Sequence, residues 1–379
     1  MEKPQVGEIQ YFRQLDGFRF FSIVAVMITH FVSTRFTDGL PFGFGVLFFF
    51  VLSSFLITRI LLTAKGSNEE RGTNNLFSLK QFYIRRFLRI FPIYYLLITV
   101  LYVINWNPCR EIIVSLLTYT TNLKIASGFD AANFNHLWSL AVEEQFYIFF
   151  PFIVFFINTK YLLRVFIAIT CIGLLGRTLL YLHNSTYIPY SNFNTISCLD
   201  SLGLGSILAY LSIYKIEMLT RIMRRKAFLI GSAVLFLVVT LVTYSPYEGD
   251  ARYNFGSMVW MRFCFNIVSF FLLGYSVAVS YRGLFGKILE NKIVVYLGRI
   301  SYGMYLYHLF VPHFLRIVLH HFGKEIPGGW DNVMGIVYML ATVAIASVSW
   351  FVIEKPINEL KKYFNYNKKA QLKGLKTSL

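Results

Sequence analysis

Residues 43–62 read GFGVLFFFVLSSFLITRILL, twenty positions with one charge, Arg59. A helix of that length crosses a hydrocarbon core of about 30 Å. Nine other apolar windows lie along the chain, at 15–33, 86–105, 136–157, 162–181, 197–213, 228–245, 260–281, 300–321 and 333–353, of which 197–213 is slightly short. A spanning barrel would show alternating strands of about ten residues instead, so the sequence predicts an all-α, polytopic membrane protein with about ten transmembrane helices.

The composition agrees. Of 379 residues, 56% are hydrophobic and 15% charged, with a mean hydropathy of +0.55; ordinary soluble domains carry about 45–50% apolar and about 25% charged residues. A soluble enzyme is excluded. The 39 Phe and 25 Tyr demand burial and exclude disorder. Four Cys without a CxxC pair exclude a disulfide scaffold and take away the usual signal of a metal or redox centre, so neither a metal nor a permanently bound cofactor is expected.

Net charge is +17, and its placement gives orientation. An even number of spans puts both termini on one side. The segments 1–14, 63–85, 158–164, 214–227, 282–299 and 354–379 hold 24 Lys and Arg, against five in the opposite loops, Arg35, Arg110, Lys124, Arg252 and Lys324. The first set, with both termini, is therefore expected to be cytoplasmic, in the cell inner (plasma) membrane. The run Arg221, Arg224, Arg225, Lys226 and the tail Lys361, Lys362, Lys368, Lys369, Lys373, Lys376 suit anionic inner-leaflet lipids, so the charge calls for no nucleic-acid partner. Lys3 and Arg13 resemble the opening of a signal peptide, but no small-residue cleavage pattern follows and Asp16, Arg19 and His30 interrupt the apolar run, which indicates an uncleaved first span. No linker or fixed-period repeat marks a second domain. Segment 106–135 is the longest outer connection, and its apolar part, 111–125, is expected to form a short re-entrant or interfacial helix.

Polar residues within the spans point to function, because each is costly to bury in lipid. In the first span Arg19 and His30 are eleven positions apart, about 20° beyond three full turns, and Asp16 lies within about 60° of both, so acid, guanidinium and imidazole share one stripe. The rise from Arg19 to His30 is about 16 Å. In the third, Arg86 and Arg89 are one turn apart and suit a forked grip on phosphate. In the fourth, His136, Glu143 and Tyr147 fall within about 40° of one another, with Ser139 within about 80°, beside a second carboxylate, Glu144. In the ninth, Ser301, Tyr305 and His308 share a face that resembles a binding wall. Arg177 and Asp200 are expected to pair structurally, and Gly203 and Gly205 to let helices pack closely.

Five ordered motifs then carry a resemblance: Leu15-Asp16-Gly17-Phe18-Arg19 with His30; Phe49-Phe50-Val51-Leu52-Ser53-Ser54-Phe55-Leu56-Ile57; the Arg86/Arg89 pair; Ser139-Leu140-Ala141-Val142-Glu143-Glu144-Gln145-Phe146-Tyr147; and Ile300-Ser301-Tyr302-Gly303-Met304-Tyr305-Leu306-Tyr307-His308. Together they resemble the membrane acyltransferase-3 family of cell-surface sugar O-acetylases, from about residue 11 to Phe351-Val352-Ile353-Glu354-Lys355-Pro356. The resemblance implies three regions: a cytoplasmic N-terminus at 1–14, an acyltransferase-3 transmembrane domain at 15–356 and a basic cytoplasmic tail at 357–379. Ser54 departs from the family's usual Gly and Phe20 from a usual small residue, and Phe20 is expected to narrow the pocket beside Arg19. No segment like the C-terminal extracytoplasmic esterase-like domain of some members follows, so transfer is expected to be completed by the membrane domain or by a separate partner.

The resemblance further implies transfer of an acyl group, usually acetyl, from cytoplasmic acyl-CoA as co-substrate to a hydroxyl of an extracytoplasmic glycan or lipid-linked sugar. Arg86 and Arg89, with Arg19, are the expected phosphate anchors. His30 is the expected base, because a neutral imidazole suits removal of the acceptor's proton. Glu143 or Asp16 would orient it, Glu143 being preferred since Asp16 lies far along the same helix. Ser139, Ser301, Tyr305 and His308 would hold acceptor hydroxyls or stabilise the oxyanion, and Trp138 would stack on a sugar. Two alternatives remain open at this point: a small lipophilic acceptor such as a macrolide, and a proton-coupled transporter of an anionic solute, since buried Arg, His and Glu also build proton relays.

Overall fold

The computed structural model describes residues 11–32, 42–72, 74–183, 192–243, 254–324 and 331–366, which are helical with no strand among them. Lys3, Arg35, Arg252 and the tail residues Lys368, Lys369, Lys373 and Lys376 lie outside the described residues. In chain order the helices are α1 (Arg13–Phe31), α2 (Gly45–Arg71), α3 (Asn75–Val103), the short α4 (Ile113–Leu117) and α5 (Thr121–Ala126), α6 (Trp138–Phe156), α7 (Thr159–His183), α8 (Leu199–Tyr214), α9 (Ile216–Arg224), α10 (Lys226–Thr243), α11 (Arg262–Ala278), α12 (Gly283–Leu289), α13 (Lys292–Arg299), α14 (Ser301–Tyr307), α15 (Phe310–His321), α16 (Asp331–Ser349) and α17 (Lys355–Glu359).

Eight helical stretches among the described residues are long and apolar enough to cross a membrane. The two expected spans that miss this measure do so for readable reasons. α1 has the length, but Gln14, Asp16, Arg19 and His30 lower its apolarity. The ninth expected span, 300–321, is broken into α14 and α15. Pro312 stands in the first turn of α15 and lacks the N–H that would bond the His308 carbonyl four residues back. The hydrogen-bond ladder is therefore broken at His308 and Leu309, although both keep helical dihedrals (φ −55°, ψ −38° and φ −78°, ψ −17°). Segment 106–135 likewise departs from a single helix over 111–125: α4 and α5 are separated at Tyr119 (φ 51°). Tyr94 and Tyr95 donate to the carbonyls of Leu116 and Leu117, both at 2.9 Å, and Gln145 Nε2 donates to Tyr119 O at 2.7 Å, so the segment is tied to α3 and α6.

Three apolar clusters hold the bundle. One joins α1, α3 and α14 to the 106–137 segment; another joins α2, α6, α7 and α8; the third joins α1, α2, α8 and α11. α8 lies between α2 and α7 at close range because it carries glycines. A Cβ on Gly205 would collide with the Val51 carbonyl of α2, and one on Gly203 with Thr170 of α7. Ser54, where the family usually has Gly, adds polar ties at this contact: its hydroxyl donates to Leu202 O and meets Ser206 Oγ at 2.8 Å. The expected pair is present too, with Arg177 Nη2 2.7 Å from Asp200 Oδ2 and Nη1 3.1 Å from Oδ1, while Asn266 Nδ2 donates to Oδ2 at 3.0 Å.

Candidate active site

α1, α2, α3, α6 and α14 enclose a cavity of about 120 Å³. Its polar lining comes from three guanidinium groups, Arg19, Arg86 and Arg89, from Glu143, and from the hydroxyl side chains of Ser53, Ser139, Tyr147, Ser301, Tyr302 and Tyr305. Residues from five separate elements thus meet at one place, and Arg19, Arg86, Arg89, Glu143, Ser139, Ser301 and Tyr305, which the sequence motifs single out, are among them.

The three arginines are not equivalent. Arg86 is committed: its Nη2 is 2.8 Å from Glu144 Oε1 and 3.8 Å from Glu143 Oε2, its Nε donates to Glu144 Oε1 at 3.3 Å, and its guanidinium carbon sits 3.4 Å above the centre of the Tyr147 ring. Arg19 Nη1 is 2.8 Å from Asp16 Oδ1. Arg89 makes no ion pair or hydrogen bond among the described residues and is the guanidinium free to meet an incoming anion. The forked pair expected of Arg86 and Arg89 is therefore one free cation beside one that is already neutralised. Of the two adjacent carboxylates, Glu144 makes the closer ion pair with Arg86, while Glu143, preferred from the sequence as the group that would orient His30, lines the cavity.

Asp16 serves the start of α1. Besides Arg19 it accepts from Tyr11 OH at 2.5 Å and lies 3.8 Å from Arg299 Nε. Neither Asp16 nor Glu143 contacts His30, so neither expected orienting carboxylate is placed to act on the imidazole. Phe20 does not line the cavity and packs edge-on against Phe21, with centroids 5.2 Å apart, which corrects the expectation that it narrows the pocket. Trp138 is also outside the lining. Its half-buried indole packs at 5.7 Å from Phe50 and 4.8 Å from Phe193.

A hydroxyl chain leads away from the cavity. Tyr305 OH donates to the His136 carbonyl at 2.7 Å and lies 2.6 Å from Ser139 Oγ. Ser139 Oγ also reaches the His136 carbonyl, at 3.3 Å, so both hydroxyl protons are shared among these three groups. Next to this pair three histidine rings gather: His136 and His308 at 4.8 Å between centroids, His308 and His30 at 5.2 Å. His136 reaches this cluster because it lies on the 3-10 turn Ala132–Leu137 that precedes α6, so the helical stripe expected to join it to Glu143 and Tyr147 does not form. His308, expected on the wall with Ser301 and Tyr305, is wholly buried behind that wall at the break before α15. Among the described residues no three His, Cys, Asp or Glu side chains converge as metal ligands.

The chain matches the family model described as an acyltransferase domain over residues 12–353. It is 29% identical over 385 residues to the peptidoglycan O-acetyltransferase OatA of Listeria monocytogenes, covering 95% of this chain and 57% of that protein. It is 28% identical over 375 residues to the O-acetyltransferase OatA of Staphylococcus aureus, covering 92% and 58%. A putative O-acetyltransferase of Staphylococcus aureus strain COL is 28% identical over 373 residues, with 93% and 58% covered. The chain thus spans less than two thirds of the length of these relatives. No solved structure matches it.

Proposed function

The chain belongs to the acyltransferase domain family over residues 12–353, and from that premise we propose that it is a multi-pass membrane O-acetyltransferase that moves an acyl group from acyl-CoA to a hydroxyl of an extracytoplasmic or lipid-linked glycan. The observation that carries this reading is that one cavity is walled by Arg19, Arg86 and Arg89 together with Ser139, Ser301 and Tyr305. Guanidiniums suit the phosphates of a CoA donor, and hydroxyl side chains suit an acyl oxygen or a sugar hydroxyl.

In this reading the membrane is the inner (plasma) membrane and the arginine end of the cavity faces the cytoplasm, as the Lys and Arg distribution favours. Acyl-CoA engages Arg89, with Arg19 and Arg86 flanking it, and its pantetheine arm carries the thioester through the cavity toward His30, which stands outside the lining, beside His308. His30 takes the proton of the acceptor hydroxyl while that oxygen attacks the thioester carbonyl. The C–S bond then breaks, and the leaving thiolate receives the proton from His30. Ser301 offers its hydroxyl to the oxygen that becomes negative on the way.

The test is reconstitution in liposomes with acetyl-CoA labelled in the acetyl group, with and without isolated surface glycan. Label entering glycan, with glycan-dependent release of CoA, is the expected result. Release of CoA that ignores the glycan but follows an added soluble hydroxyl compound would overturn the glycan as acceptor. Absence of turnover with every acceptor would overturn the enzyme.

A further inference from the structure

The three histidines can be assigned proton by proton. His308 Nδ1 is 2.7 Å from the carbonyl of Tyr305. A carbonyl only accepts, so in the neutral ring Nδ1 carries the proton and Nε2 is a bare acceptor. That Nε2 is buried and has no partner, in a side chain with no exposed surface. His136 follows the same logic in mirror image: Nε2 lies 3.2 Å from Leu306 O and must donate, which leaves Nδ1 bare, buried and unpartnered. Two acceptor nitrogens therefore stand side by side with no donor supplied to either.

His30 is the complement. It makes no hydrogen bond among the described residues, its side chain is exposed, and its ring meets His308 with centroids 5.2 Å apart. The two rings are tilted by 45° and do not hydrogen-bond as placed; at this separation a rotation of the exposed His30 ring brings one of its nitrogens to about 3 Å from His308 Nε2. The rings of Phe31, at 6.2 Å, Tyr305, at 5.4 Å, and His136, at 4.8 Å, pack around His308, and its Nδ1 bond pins it. Its bare nitrogen is thus held in place beside an imidazole that makes no hydrogen bond among the described residues. Among the described residues no carboxylate contacts that ring, since Glu143 is with Arg86 and Asp16 with Arg19 and Tyr11.

We propose that His308 is the positioning residue for His30: its Nε2 accepts the N–H of one His30 nitrogen and so keeps the other His30 nitrogen unprotonated and turned to the acceptor hydroxyl. This rests on the reading of His30 as the base. A neutral histidine takes the place that a carboxylate fills in hydrolase triads. The proton taken from the acceptor goes to the open nitrogen of His30 and leaves with the CoA thiolate. The N–H shared with His308 is kept throughout, and His308 itself neither gains nor loses a proton.

Two variants and one spectrum test it. His308→Phe keeps the ring volume and removes the acceptor; His308→Gln restores an acceptor oxygen. With protein that elutes as wild type, His308→Phe is expected to lower kcat about 100-fold with the KM for acetyl-CoA within about twofold, and His308→Gln to recover most of the loss. In protein labelled with 15N-histidine, the His30 signals, identified by their disappearance in His30→Asn, should show a single tautomer in wild type and in His308→Gln and exchange between tautomers in His308→Phe. A His30 tautomer unaffected by His308→Phe, or His308→Gln as inactive as His308→Phe, would overturn the proposal. If His308→Phe fails to fold, the wild-type spectrum decides, since two averaged tautomers of His30 would refute it. Unchanged turnover by His30→Asn would instead refute the base assignment, while the spectrum still reports whether His308 holds the ring.

Discussion

Replacing Arg86 by alanine separates stability from donor binding in a way that replacing Arg89 does not. Arg86 and Glu144 are 11% and 7% exposed at their side chains and meet at 2.8 Å, and the same guanidinium covers the Tyr147 ring at 3.4 Å. Removing one partner of such a buried pair leaves an uncompensated charge and costs about 3–5 kcal/mol. Arg89 has no partner to abandon among the described residues, so Arg89→Ala should leave stability within about 0.5 kcal/mol of wild type, as for a substitution away from buried networks. Its loss should fall on the donor instead. One charge-assisted contact is worth about 1.5–3 kcal/mol, so the acetyl-CoA concentration for half-maximal rate should rise roughly tenfold to a hundredfold. The assay is thermal unfolding of each variant in detergent, followed by CoA release as a function of acetyl-CoA concentration. Arg86→Ala should melt several degrees lower, and Arg86→Met/Glu144→Leu should regain most of that loss without regaining donor affinity. Equal melting of wild type and Arg86→Ala, or a marked loss of stability in Arg89→Ala, would refute the division of labour between the two arginines.

Three other outcomes follow from particular contacts. Asp200→Asn leaves Arg177, 1% exposed at its side chain, without its counter-ion and should cost about 3–5 kcal/mol in thermal or denaturant unfolding, while the rate per folded molecule stays the same. Gly205→Val places side-chain atoms against the Val51 carbonyl and should force α2 from α8, which would be read as loss of the monodisperse peak in size-exclusion chromatography. Tyr305→Phe removes the hydroxyl that donates to His136 O at 2.7 Å and meets Ser139 at 2.6 Å. It should lower the transfer rate with the half-saturating acetyl-CoA concentration unchanged, at a stability cost of about 1–3 kcal/mol.

The membrane character was legible because lipid leaves the backbone few options: a run such as 43–62 must close its hydrogen bonds as a helix. The arginine cavity was legible for a related reason, since ionisable residues inside apolar helices are costly and stand out. Periodicity could not choose between Glu143 and Glu144, which lie about 100° apart on α6; only the position of α3 decides which meets Arg86. The break at His308 was written in Pro312, but the apolar run on both sides hid it. The gathering of His30, His136 and His308 had no local signal at all, because it depends on a turn before α6, a break before α15 and the end of α1 arriving together. For the same reason Trp138 read as a free aromatic face: its partners Phe50 and Phe193 are distant in sequence.

The central claim is that His30 serves an acyl transfer from a donor held by arginines. It is tested most directly by acetyl transfer to surface glycan in liposomes containing either wild type or His30→Ala, matched for folded protein by size-exclusion chromatography and for binding of labelled acetyl-CoA. Wild type should acetylate glycan and release CoA in step, and His30→Ala should bind acetyl-CoA normally and transfer none. Transfer by His30→Ala at the wild-type rate would contradict the account.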